Sequence, residues 1–231
     1  MVATPVIAPA AVQAQQAGAE QTSNGGAPPE ERSPALDRQL RRAKMAWRRG
    51  TNLPEAKARL DHLLRQRPDD QAARKLRAEV LLEMDRPGAA LRDARHAATS
   101  YPRDGVAHLL CVEAARRDSQ PALARRALAR AAEHLPQKAE PHVRFSWNAM
   151  QLGRLAQAEA FGRVAVALDS SSGAAPRQLA RVFVERDRAD EAAAVLARGV
   201  RAGVLAPRVI RRDERLRDLT DHPRLRELMR R

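Results

Sequence analysis

The chain has 231 residues, 42 of them Lys or Arg against 28 Asp or Glu, a formal charge of +14, with only 3% aromatic residues. No run approaches the roughly 18 apolar residues that cross a bilayer. The single cysteine, Cys111, excludes an intramolecular disulfide, and a core so poor in rings has to be built from Ala, Leu and Val.

The first element, residues 1–36, is rich in Ala, Pro, Gln, Gly and Ser, and Glu20, Glu30, Glu31 and Arg32 are its only charges. It shows no helical periodicity and reads as a disordered leader. Val12-Gln13-Ala14 has the small residues of a signal-peptidase site, but no basic segment precedes it. The chain is cytoplasmic as written, or periplasmic if the leader is the remnant of a signal peptide.

From residue 37 onward apolar residues recur at helical spacing. Gln71 to Met84, Gly105 to Arg117 and Ala139 to Leu152 are such runs, each followed by a break and a second periodic run. Pro54, Pro87 and Pro121 fall just past a break, where a fixed φ and a missing amide suit the first turn of a helix. Pro68, Pro102 and Pro136 stand 34 residues apart, with Ser170 at the next step, and Ala56, Ala90, Ala124, Ala158 and Ala192 share one phase of the same period. A period of that length belongs to solenoids of helix pairs, in which one pair cannot bury its apolar face alone and neighbours stack into one core. No alternating β-branched or aromatic run predicts a strand.

The last element, residues 207–231, carries apolar residues at three- and four-residue spacing in Asp213 to Leu219 and again in Asp221 to Met229. Asp221 is expected to be an N-cap with Pro223 in the first turn. These capping helices are expected to cover the last repeat.

The repeated residues make the chain resemble the tetratricopeptide repeat family. The best match runs from Ala139 to Ala158, with the small Ser146, the turn glycine Gly153 and the closing Ala158 in the family's order. Elsewhere Lys44 and Val112 stand at a small-residue position, Ala115 and Ala149 replace a tyrosine, and Ser170 replaces the proline. The resemblance covers about residues 37–206 and implies an all-α fold, a right-handed α-solenoid of about five helix-turn-helix repeats. It also implies a non-catalytic scaffold or adaptor, bacterial in character, that binds a partner protein in a concave groove.

Carried over position by position, the resemblance puts Arg41, Met45 and Arg48 in that groove, followed by Lys75, Glu79 and Leu82. It adds Leu109, Glu113 and Arg116, then Val143, Trp147 and Met150, then Arg177 and Arg181. The implied groove has basic ends around an apolar middle and suits an acidic, partly apolar segment. Trp147 is the expected anchor, flanked by Val143 and Met150, whereas Trp47 is a packing residue. The asparagines with which some members hold a carboxylate are replaced by Met45 and Leu76, so a clamp on a chain terminus is not expected.

No phosphate loop, nucleophile elbow or zincin motif occurs, so no enzyme and no cofactor is expected. His108, Cys111 and Glu113 lie close together, but a zinc site needs further ligands at suitable spacing, so no metal is expected either. The alternative reading is an electrostatic binder of nucleic acid or an anionic surface. Against it, acids interleave the bases, as in Arg186-Asp187-Arg188-Ala189-Asp190-Glu191, the pattern of a solvated helix face. Every basic residue except Lys44, Lys57, Lys75 and Lys138 is an arginine, as GC-rich coding produces. No nucleic-acid module is present.

Overall fold

Helix pairs repeat with the period of the alanines. The computed structural model describes residues 33–48 and 52–230. Its pairs are α1 (Pro34–Arg48) with α2 (Leu53–Gln66), α3 (Gln71–Glu83) with α4 (Pro87–Ser100), and α5 (Gly105–Arg117) with α6 (Pro121–His134). Then follow α7 (Ala139–Gln151) with α8 (Leu155–Leu168), and α9 (Ala174–Val184) with α10 (Ala189–Arg201). The second helices begin at residues 53, 87, 121, 155 and 189, in steps of 34. Each packs between its own first helix and the next, and α1, α3, α5, α7 and α9 stack side by side. This is an α-solenoid, and among the described residues it contains no strand and no helix long and apolar enough to cross a membrane.

Ala56, Ala90, Ala124, Ala158 and Ala192 are all fully buried, which explains their common phase. A methyl group is all that fits where two helices of a pair approach closely. Prolines sit in the first turns of α2, α4 and α6, as the sequence predicts, and Asn52, Asp70 and Asp104 accept the first amides of α2, α3 and α5. Gly105 marks a second close approach, since a Cβ there would lie 2.4 Å from the His134 carbonyl at the end of α6.

The turns within pairs share one backbone solution. Asp85, Ser119, Gly153 and Asp187, again 34 apart, have positive φ of 54°, 58°, 71° and 56°. The next amide in each turn donates to the carbonyl five residues back, Arg86 to Leu81, Gln120 to Ala115, Arg154 to Ala149 and Arg188 to Phe183, at 2.8 to 2.9 Å. That is a Schellman ending, and its left-handed residue favours glycine. Only Gly153 has no Cβ to strain. Ser119→Gly is therefore expected to stabilise the fold by about 0.5–1 kcal/mol. A shift of the urea midpoint to higher concentration at unchanged slope checks it.

Two boundaries differ from expectation. Helix α1 starts at Pro34, so residues 34–36 belong to the first repeat and not to the leader; Pro34 opens the first turn and Asp37 complements the helix dipole. The rest of the expected leader, and its signal-peptidase pattern, lies outside the described residues. At the other end come α11 (Pro207–Arg211), a 3-10 turn (Arg217–Asp221) and α12 (Pro223–Met229). No α-helix spans Asp213 to Leu219: Asp213 is buried as a partner of Arg181, and its side chain accepts the Arg215 amide in a turn that precedes the 3-10 segment. His222, not Asp221, caps α12, its ring accepting the Arg224 amide. Ile210, Leu216, Leu219, Leu225 and Met229 pack on α9 and α10 and close the core behind the last repeat.

Candidate functional site

The first helices turn one face away from their partners, and there α1, α3, α5 and α7 enclose a groove of about 750 Å³. Leu40, Lys44, Trp47 and Arg48 of α1 form one wall, and Ala72, Lys75, Leu76, Glu79, Leu82 and Glu83 of α3 form the floor. Val106, Glu113 and Arg117 of α5 and Glu140 and Arg144 of α7 complete it.

Of the groove residues expected from the sequence, Arg48, Lys75, Glu79, Leu82 and Glu113 line this cavity together. Arg41 and Met45 are exposed on α1 but outside it. Leu109 and Met150 are corrections to the expected groove: Leu109 is fully buried and Met150 is 6% exposed, both in the central apolar cluster. The helical register turns them onto neighbouring helices, and the Gln178 amide of α9 lies 3.9 Å from the Met150 sulfur. Val143, Arg116 and Arg177 are half-buried beyond the cavity, Arg116 donating to the Asn148 side chain at 3.3 Å.

Trp147 is half-buried against the central core, not part of the groove wall. The Arg181 guanidinium stands 5.3 Å from its ring centroid and is itself held by Asp213 at 2.7 Å, so this tryptophan helps couple α7 to α9 and the C-terminal cap. Trp47 packs against the apolar cluster of α1, α2 and α3 as expected, and it also shows an edge to the groove, with its indole N–H donating to Glu83 Oε1 at 2.8 Å.

The residue missing from the expected set is Arg144. Its Nε and Nη2 donate to the two Glu113 oxygens at 2.9 and 2.8 Å, a bidentate pair, while Nη1 reaches Glu79 at 3.2 Å and Glu140 at 3.4 Å. Asn148 steadies the pair by donating to Glu113 Oε1 at 3.2 Å. Burial works against the Arg144 charge, but the hydrogen bond and charge of Glu113, helped by Glu140 and Glu79, hold its pKa above the ordinary value. At Glu79 the balance reverses. Burial, joined by the charges of Glu113 and Glu140, raises its pKa against the charge and hydrogen bond of Arg144. The sequence does hold a signal for this cluster, since Glu79 and Glu113 are one period apart on adjacent first helices and need a cation between them.

Lys75 is committed within the fold, bound at 2.5 Å to Asp104, which also caps α5. No cluster of three His, Cys, Asp or Glu residues suited to a metal occurs among the described residues. His108 meets the Pro102 carbonyl at 2.8 Å, and Cys111 is buried, its thiol pushed up to about 12 by burial. So few thiolates at pH 8 should make iodoacetamide alkylation of Cys111 roughly a thousandfold slower in the folded protein than in urea. Mass spectrometry of timed aliquots checks this, and rates within tenfold of each other would show an accessible thiol.

No family model and no curated protein matches the chain. Among solved structures it is similar to TTC0263, a thermophilic TPR protein of Thermus thermophilus, at 22% identity over 85% of this chain and 100% of that one, with a TM-score of 0.61. PilW, a widely conserved type IV pilus biogenesis factor, is 18% identical over 85% of this chain and 91% of its own, with a TM-score of 0.67. YrrB, a TPR protein with an unusual peptide-binding site, is 16% identical over 84% and 91%, with a TM-score of 0.51.

Proposed function

From the tetratricopeptide-type fold that this chain shares with those proteins, we propose a non-catalytic interaction scaffold that holds a segment of a partner protein in the groove of α1, α3, α5 and α7. The observation that carries this reading is the groove itself, about 750 Å³, with an aromatic edge at Trp47 and mixed charge on its walls. Pockets of that size with a few placed polar groups are the usual sites of segment recognition. The peptide-binding site named for YrrB supports it by analogy of fold.

The groove variant that tests it must spare the core. Ala72 lines the groove from the first turn of α3 and is half-buried, so Ala72→Arg fills the cavity without entering the packing between helices. Nuclease-treated co-purification from the native organism is expected to retain partners on the unaltered chain and lose them at least tenfold on Ala72→Arg, with circular dichroism unchanged. Equal retention by both would end the groove reading.

A second reading has one observation of its own. Arg125, Arg154 and Arg186 line a cleft of about 690 Å³ at the α8 N-terminus, where Arg186 is paired with Glu159 at 2.6 Å and Arg125 and Arg154 are left to meet an anionic surface or nucleic acid. It predicts retention that survives Ala72→Arg and is stripped by salt.

A further inference from the structure

The charges of the groove are sorted along it. Lys44 and Arg48 on α1 are exposed and have no ion-pair partner among the described residues. Opposite them, Glu79, Glu113 and Glu140 share one guanidinium, that of Arg144, so this part of the groove holds two carboxylates in excess. Lys75 is neutralised by Asp104, whereas Glu83 accepts from Trp47 of α1 and Arg117 donates to the Leu82 carbonyl. One groove therefore has two exposed cations on its α1 wall, with Glu83 beside them on Trp47, and an excess of two carboxylates around Arg144.

We propose that the partner segment carries an acidic side chain that meets Lys44 and Arg48 and a basic side chain that meets Glu79 and Glu140. This rests on the groove reading above and deepens it, replacing a generally acidic partner with one of ordered charge. Arg144 Nη1 serves Glu79 and Glu140 at once, at 3.2 and 3.4 Å, so neither carboxylate has a full partner. A Lys or Arg delivered by a ligand supplies it in a half-buried setting, where a charge pair is worth more than on open surface.

Geometry also sets the spacing. Arg144 reaches back to Glu79 on α3, so the acidic group stands one to two helix spacings from α1, roughly 10–20 Å. An extended chain covers that in about three to six residues. The occupant is therefore a short segment with Asp or Glu and Lys or Arg three to six residues apart, in a fixed order.

The test selects a phage-displayed library of random 12-residue peptides on the full chain, then measures fluorescein-labelled consensus peptides by polarisation. The expected consensus has the ordered pair, and exchanging its acid for Lys weakens binding to the unaltered protein at least tenfold. Lys44→Glu with Arg48→Glu, both at exposed positions, is expected to restore the Lys-exchanged peptide. Glu140→Lys, exposed in the first turn of α7, is expected to restore a peptide whose base has become Glu. Selected peptides that Ala72→Arg displaces but that show no charge order, or no swap on the variants, overturn this inference and leave the groove function standing. Failure to select any peptide sensitive to Ala72→Arg overturns both.

Discussion

Arg144→Ala is expected to lower folding stability by about 3–5 kcal/mol, among the largest effects of any single change in this chain. The guanidinium and its two nearest partners are largely enclosed, with side-chain exposures of 22% for Arg144, 17% for Glu113 and 22% for Glu79. Removing the cation leaves Glu113 and Glu79 close together in a half-buried site with no counter-charge. Glu140 is 68% exposed and adds little. Replacing the pair together, Arg144→Met with Glu113→Met, is expected to cost much less than the single change, because no charge is left stranded.

The sign of the pH dependence identifies the cause. Without Arg144 the folded-state pKa of Glu79 loses its one lowering influence and rises further above the unfolded carboxylate value of about 4.3. The folded state then binds a proton that the unfolded chain does not, so stability falls as pH rises through that raised value and recovers as pH is lowered. Glu79, already raised in the unaltered protein, has the same sign. Urea unfolding at pH 5 and pH 7 is expected to show a smaller deficit for Arg144→Ala at pH 5. A deficit independent of pH would mean that the loss is packing, not charge.

Ala124→Leu is expected to cost about 3 kcal/mol. The methyl of Ala124 is fully buried where α5 meets α6, one of five such sites along the solenoid, and three more heavy atoms force the pair apart. Because each repeat packs its helices mainly against its neighbours, the strain passes to the pairs on either side and lowers the midpoint of the whole array. Ala124→Gly is the control, since it loses helix propensity without adding volume and is expected to cost about 1 kcal/mol. A leucine variant no less stable than the glycine variant would show that the alanine row reflects propensity and not close approach.

Much of the fold was legible along the chain, and the reason is local. The alanines, the prolines and the breaks each record a constraint that recurs whenever a pair of helices closes, so a period of 34 residues exposes it. The Schellman turns were half legible. Gly153 announces one, but Asp85, Ser119 and Asp187 reach positive φ without a glycine because the flanking helices dictate the turn. The candidate site was legible only in part. Glu79 and Glu113, one period apart, both line the groove, but Met45 and Trp147 at the same repeat position lie outside it, and Trp147 turns to Arg181. Leu109 and Met150, at the other expected groove positions, point into the core.

The sequence by itself determined the helix pairs, their starts and the small residues at their contacts, because those depend on neighbours within one repeat. Only the tertiary structure decided that Arg144 of α7 gathers Glu79 of α3 and Glu113 of α5, residues 65 and 31 positions away. Which charges meet depends on how far each repeat rotates against the last, a sum of small packing angles that no single repeat encodes.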